Sequence, residues 1–394
     1  MPKVAAARSL PRGVIALGVV SLLMDVSSEM IHSALPVFLT TVLGASVLTV
    51  GMIEGIAEAT ASVTKVFAGA ASDALGRRKP FALVGYALAA LTKPLFPLAT
   101  SIHAVLFARF ADRIGKGIRG APRDALVADL TPEAQRGAAY GMRQALDTVG
   151  AIAGPSLALL LLAASQDDFR LVFWVAVLPA FGAVAVLALG VREPASTRAE
   201  RRARSPIQRA ELARLPRRYW WIVGFAALLT LARLSDAFLV LRALDLAVAP
   251  GRAPFALVAM NVFYAAVSYP LGRVSDRGRR PVAQLGVAAL LAAHLALALG
   301  AGAPTLLLGC ALWGVHMGAT QGLLTTLVAD VAPSDLRGTA FGVFNLAVGV
   351  AQLVAASLAG ALWASFGAAA TFAAGAACAG IALAGLSLRP PSAA

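Results

Sequence analysis

The residues most able to do chemistry are ionisable side chains set inside long apolar stretches. Asp25 and Glu29 lie in one stretch, and Glu54 and Glu58 in the next. Arg109, Asp112, Arg113, Lys116 and Arg119 lie in a third, with Arg143 and Asp147 in a fourth. Charge inside a bilayer is costly, so each is a candidate for function. Asp25/Glu29 and Glu54/Glu58 are spaced by four, which puts each pair on one helix face. The chemistry open to them is reversible proton binding, because burial favours the protonated carboxyl and a nearby cation the ionised one. A carboxylate that holds a proton in one state and meets solute in another couples two flows. The alternative, for any one of them, is plain neutralisation of a basic neighbour.

At 1.5 Å per residue, Asp25 lies roughly 16 Å into its stretch. Glu58, Arg113 and Asp147 fall at a similar level, near the midplane, where transporter substrate and ion sites sit. Asp25 and Glu58 are therefore the favoured proton carriers. Glu29 and Glu54 sit nearer the outside, and Lys116, Arg119 and Arg143 nearer the inside. The C-terminal part offers Asp236, flanked by Arg233 and Arg242, and mostly neutral hydrogen-bonding groups: Asn261, Tyr264, Trp313, His316, Gln321, Asn345 and Gln352. Together with Arg113 and Lys116, residues Asp236, Asn261, Tyr264, His316, Gln321 and Asn345 are the candidate substrate contacts; packing is the alternative for each. His316-Met317 is not a chelating spacing and the methionines do not cluster, so neither a metal site nor a cofactor is expected.

The elements that must position these groups are membrane spans. The chain is 59% hydrophobic and 14% charged, against roughly 25% charged in ordinary soluble domains. A spanning helix needs about 20 mostly apolar residues. Twelve such stretches are expected, at 14–42, 47–71, 80–100, 102–126, 138–164, 169–190, 219–246, 254–274, 281–301, 304–329, 338–364 and 367–388. The fold class is thus an all-α membrane protein. The net charge of +14 sits in short loops, which argues for topology signals and against nucleic acid. One set of loops holds Arg77 to Lys79, Arg136, Arg192 to Arg218, Arg273 to Arg280, and Arg337; the other set has few basic residues beyond Arg170 and Arg252. The positive-inside rule places the basic set and both termini in the cytoplasm. The basic run 192–218 reads either as a linker partly lying on anionic membrane lipid or as a solvated loop. Cys310 and Cys378 lie in apolar runs without metal-ligand spacing. An uncleaved first span fits the N-terminus better than a signal peptide.

The chain also repeats itself. Asp129-Leu-Thr-Pro132-x-x-x-Arg136-Gly137-x-Ala139-Tyr140-Gly141 returns 201 residues later as Asp330-Val-Ala-Pro333-x-x-x-Arg337-Gly338-x-Ala340-Phe341-Gly342. Gly69-x-x-x-Asp73-x-x-Gly76-Arg77-Arg78 returns as Gly272-x-x-x-Asp276-Arg-Gly-Arg-Arg. Two parallel halves follow, an N-terminal half over 1–191 and a C-terminal half over 219–394, joined by the linker 192–218. Twelve spans in two such halves resemble the major facilitator superfamily. Gly69 to Arg78 is similar to that superfamily's signature between helices 2 and 3, with Ala74 where a basic residue is usual. Arg113-Ile-Gly-Lys116-Gly117-Ile-Arg119-Gly120-Ala121 is similar to the helix 4 motif, whose arginine is tied to proton coupling. Gly141, Gly150 and Gly154-Pro155 resemble the helix 5 antiporter motif of twelve-helix proton-coupled drug exporters, although Ala158 departs from its glycine-rich end.

The resemblance implies that Asp73 forms a charge lock between the halves, with the start of helix 11 near Gly338 as partner. On this reading Gly69, Asp73, Gly76, Arg77, Arg78, Asp276, Gly141, Gly150, Gly154 and Pro155 serve gating. Asp25, Glu29, Glu54, Glu58, Arg113 and Asp147 serve proton coupling. Physically, the glycines allow close helix approach and Pro155 kinks its helix; tight packing alone is the other reading. No Walker loop and no catalytic constellation is present, so neither ATP as driver nor an enzyme is expected. The expectation is a monomeric secondary transporter in the bacterial inner membrane, its partners a small-molecule substrate, protons and lipid. Proton-antiport efflux is favoured, with proton-linked import of a nutrient, metal chelate or siderophore as the alternative.

Overall fold

The computed structural model describes residues 10–75, 77–132, 135–192, 212–275, 278–333 and 336–388. Among the described residues all regular structure is helical. The helices are α1 (Arg12–Val37), α2 (Val47–Leu75), α3 (Lys79–Thr92), α4 (Leu95–Leu98), α5 (Ile102–Leu130), α6 (Arg136–Ala164) and α7 (Phe169–Gly190). They continue as α8 (Arg217–Arg233), α9 (Ala237–Asp245), α10 (Phe255–Ser275), α11 (Arg279–Leu299), α12 (Ala303–Val331) and α13 (Arg337–Leu388). Most of the linker 193–211 lies outside the described residues, as do Gly76, Asp276 and the side chain of Asp73.

Local sequence explains the breaks. Pro36 removes a backbone donor near the end of α1, and the chain widens into a π-helical turn over Phe38–Val42. Thr40 and Thr41 donate their hydroxyls to Pro36 and Val37 carbonyls at 2.9 and 2.7 Å, satisfying acceptors that the widened turn frees. Pro94 separates α3 from the short α4. Asp168 caps α7 by accepting from the Arg170 and Leu171 amides at 2.9 and 3.1 Å. Leu234, at φ 56 and ψ −175, ends α8, and the chain restarts as α9 three residues later. Gly367, at φ 82 and ψ 178, breaks the 52-residue α13.

Nine helical stretches among the described residues are long and apolar enough to cross a membrane. The twelve expected stretches differ from these nine in three places. The expected pair 338–364 and 367–388 forms one run, Thr339–Leu386, that bends at Gly367. The buried charges of α5 keep it outside the nine. So does α12, several of whose side chains are not described. The polarity is inverted relative to a soluble protein: Leu189 and Leu299 are 86% and 83% exposed, while Glu54 and Arg109 are 2% and 1% exposed.

The helices form two bundles. In the first, α1 packs on α6 and α7, and α5 on α2 and α3. In the second, α12 packs on α10 and α11, and α13 on α8 and α11. The bundles meet through α2 against α13 and α6 against α10. Glycines make the first contact close: a Cβ on Gly51 would strike the Ala356 carbonyl, and one on Gly349 would strike Ser62.

The contact is lopsided along the bundle axis. At the end with loops 165–168 and 246–254, a single apolar core joins both bundles, including Phe38 and Phe173 from one and Phe238, Trp313 and Phe372 from the other. At the opposite end two separate cores form. One is built on Leu17, Tyr86, Leu126 and Leu187, the other on Tyr219, Val328, Ala340 and Phe344. Gly141 and Gly272 at that end have nothing within 4 Å of where a Cβ would stand. Among the described residues the bundles therefore share a core at one end, the closed end, and hold separate cores at the other, the splayed end.

Candidate functional site

A cavity of about 300 Å³ lies between the bundles. From the first bundle it is lined by Glu29 and His32 of α1, Glu54 and Glu58 of α2, Arg113 and Lys116 of α5, and Ala151 of α6. From the second come the chain break Arg233–Asp236, then Leu257, Met260, Asn261 and Tyr264 of α10, Met317 and Gln321 of α12, and Gln352 of α13.

Its charges are mostly paired. Arg109 donates through Nη2 to Glu54 Oε2 and to His32 Nδ1, both at 2.8 Å. A guanidinium has no acceptor, so His32 Nδ1 accepts and its proton sits on Nε2. Arg113 donates through Nη1 to Glu58 Oε1 at 3.1 Å. Behind the wall, Lys93 donates to Asp112 Oδ1 at 2.9 Å and to Ser28 Oγ at 3.1 Å, both ionised groups being buried. Asp236 Oδ1 accepts from Trp313 Nε1 at 3.1 Å. Asn261 Nδ2 reaches across the bundles to the Ala151 carbonyl at 2.8 Å, and the Tyr264 hydroxyl meets Gln321 Oε1 at 3.3 Å. Glu29, Lys116 and Arg233 have no hydrogen-bond or ion-pair partner among the described residues.

Of the residues assigned from sequence to proton coupling or substrate contact, Glu29, Glu54, Glu58, Arg113, Lys116, Asp236, Asn261, Tyr264 and Gln321 line this one cavity. Four do not. Asp25 packs against Gly150 of α6. Asp147 pairs with Arg143 at 2.8 Å, inside a cluster with Asp124 and Arg123 nearer the splayed end. His316 is buried away from the cavity, with Nδ1 2.9 Å from the Gly286 carbonyl. Asn345 donates to the Phe341 carbonyl of its own helix at 2.7 Å. Lys93 was not singled out, although a lone lysine inside the apolar stretch 80–100 was the available signal. Arg109 was visible as a charge without a pairing, and His32 lies in the same apolar stretch as Glu29. Among the described residues no three His, Cys, Asp or Glu side chains converge to hold a metal ion.

The gating residues divide as well. Gly150 and Gly154 seat α6 on α1: a Cβ on Gly154 would stand 2.6 Å from Glu29 Cβ and 2.8 Å from the Val26 carbonyl. Pro155 follows inside α6, and Gly69 lies close to Ala121 of α5. Arg78 pairs with Asp129 at 3.1 Å. The second repeat reproduces that pair as Arg279 with Asp330, each residue displaced by the same 201 positions. Arg77 is exposed. The lock expected of Asp73, with Gly76 and Asp276, falls outside the described groups.

Two helical bundles enclosing one polar cavity between them are the form of a membrane transporter. The sequence pattern of the Major Facilitator Superfamily matches residues 17–241 and 232–394. An uncharacterized MFS-type transporter of Methanocaldococcus jannaschii is 33% identical over 364 residues, covering 90% of this chain and 89% of that protein. The multidrug resistance protein MdtH of Photorhabdus laumondii is 32% identical over 132 residues, 34% of this chain and 32% of that one. The crystal structure of a POT family transporter in complex with 5-aminolevulinic acid superposes with a TM-score of 0.80 over 96% of each chain at 12% identity. The chain belongs to the major facilitator superfamily of multi-pass membrane transporters.

Proposed function

We propose that this transporter exports a small organic solute across the bacterial inner membrane in exchange for protons. Glu29 carries the proposal. It faces the cavity with no cation in contact, whereas Glu54 is tied to Arg109 and Glu58 to Arg113. A free carboxylate takes and releases a proton without breaking a buried ion pair. Glu58 is the second candidate, because its side chain is 35% exposed to the cavity while still held by Arg113. Asp25, favoured on depth alone, does not line the cavity, and Asp147 is left to a role at the splayed end.

In this reading the chain has twelve spans, α13 supplying two through its bend at Gly367. The halves are 1–191 and 219–394, the linker is 192–218, and the protein works as a monomer with both termini in the cytoplasm. The basic loops lie at the splayed end, where Arg78 and Arg279 sit. The positive-inside rule then makes this an inward-open state. The partial likeness to MdtH supports export.

The test uses inside-out vesicles with an acidified lumen and a pH-sensitive dye. A transported solute should release the dye quench in vesicles holding the protein, and not in vesicles holding Glu29→Gln. Solute-driven proton uptake in right-side-out vesicles, without release in inverted ones, would replace export by proton-linked import.

A further inference from the structure

Of the three Lys and Arg side chains that line the cavity, one, Arg113, has an ion-pair partner among the described residues. Arg109 has Glu54, Arg113 has Glu58, Lys93 has Asp112 and Arg143 has Asp147. Lys116 on the first bundle and Arg233 on the second line the same cavity and have no such partner among the described residues. The Arg233 Nε is buried without a hydrogen bond.

A simpler role for Arg233 would be to cap the carbonyl end of α8, where a cation is favoured. Those carbonyls are already served from elsewhere. The Ala232 carbonyl lies 2.8 Å from His294 Nε2, and the Leu234 carbonyl accepts from Gln352 Nε2 at 3.4 Å. Leu234 itself takes a left-handed φ of 56, a conformation disfavoured for leucine, and the resulting break places Arg233, Ser235 and Asp236 on the cavity wall. Asp236 lies close enough to feel the Arg233 charge, but its Oδ1 is engaged by Trp313 and no ion-pair contact joins the two among the described residues. Lys116 is exposed into the cavity; Glu58 and Glu29 attract it through space, but Glu58 is held by Arg113 and neither makes an ion-pair contact with it.

We propose that Lys116 and Arg233, from opposite bundles, bind the carboxylate of the transported solute, so that the substrate is a small carboxylate-bearing molecule. A planar guanidinium matches a carboxylate in a two-point contact, and a lysine adds a third donor. Because the two cations come from different bundles, the bound carboxylate bridges them and favours the state in which they approach. This inference rests on the transporter reading only in taking the cavity as the substrate's seat.

The test is binding, which needs neither a gradient nor a direction of transport. Purified full-length protein in detergent is melted with 3-phenylpropanoate, phenylalanine or phenethylamine, three probes sharing one ring and differing in charge. The first two should raise the melting temperature saturably and phenethylamine should not. Arg233→Gln and Lys116→Gln should each weaken apparent affinity about tenfold or more. Arg233→Lys, which keeps the charge and loses the fork, should fall between. Exposed Arg252→Gln is the control and should bind as the unaltered protein does. Melting without probe reports whether each variant is folded. Stabilisation by the amine alone, by none of the three, or undiminished by the carboxylates in both glutamine variants overturns the assignment. Loss of proton coupling in vesicles with carboxylate binding intact would overturn the antiport reading and leave this one standing.

Discussion

The three motif glycines of α6 make different contacts, and this yields a quantitative contrast. At Gly154 an added Cβ would meet Glu29 Cβ at 2.6 Å, the Val26 carbonyl at 2.8 Å and the Met30 amide at 3.0 Å. Two of those are backbone atoms of α1, so relief requires a whole helix to move. Overpacking typically costs about 1–3 kcal/mol, and replacing a helical glycine by alanine returns about 0.5–1 kcal/mol. Gly154→Ala should therefore lose roughly 1–2 kcal/mol. At Gly141 nothing lies within 4 Å, so Gly141→Ala should gain about 0.5–1 kcal/mol. At about 2 °C per kcal/mol for a large chain, the melting temperatures should separate by several degrees in opposite directions. Thermal unfolding in detergent measures both, alongside transport. If the splayed ends close during the cycle, Gly141→Ala should slow transport despite its added stability. A Gly154→Ala protein as stable as the unaltered one, or a Gly141→Ala protein less stable than it, would refute the packing argument.

Glu29→Gln should melt as the unaltered protein does, since no ion pair is lost, yet abolish gradient-driven transport while sparing solute exchange; full gradient-driven transport would place the proton elsewhere. Glu54→Gln should cost about 3–5 kcal/mol, because it leaves Arg109 buried without its carboxylate, and a melting curve like that of Glu29→Gln would contradict the pairing. Arg113→Ala should abolish coupled transport and Arg113→Lys retain part of it, measured as initial rates under a fixed pH gradient. Single cysteines at Ser165 and Pro206 should react oppositely with an impermeant reagent on intact cells, Ser165→Cys labelling and Pro206→Cys not; external labelling at 206 would reverse the topology.

What was legible in the sequence was what a bilayer imposes. Hydrophobic length gave the spans closely, with α1, α6 and α7 beginning and ending within a few residues of expectation. The internal repeat set Asp129 and Asp330 at matched positions, but their ion pairs with Arg78 and Arg279 were not legible in it. Relative height along each helix was legible, because helical rise is fixed. Direction around the helix was not. Asp25 stands one turn from Glu29, yet it sits against Gly150 while Glu29 reaches the cavity. His316 and Asn345 face helix backbone instead. In spans that are apolar on every side, no amphipathic stripe marks the inner face. The pairing of Lys93 with Asp112 joins different helices, and no local pattern encodes it.

The same lopsidedness bears on how the molecule could switch. The closed end is one apolar core shared by both bundles, while the splayed end is two cores that each belong to one bundle. Reversing the cavity must expose part of the shared core, and that cost has to be offset where Gly141 and Gly272 leave room for approach. Few groups cross the middle: Asn261 reaches the Ala151 carbonyl there, and no ion pair among the described residues joins the two bundles at the cavity. The central layer therefore has little charge pairing to break when the bundles rock. A ligand can bias two states only through its different affinity for them. On the two proposals above, Lys116 and Arg233 on opposite walls would provide such a difference for an anion, and Glu29, on the α1–α6 contact, one for a proton. Occupancy of the cavity would then be coupled to helix approach through the same few side chains that line it.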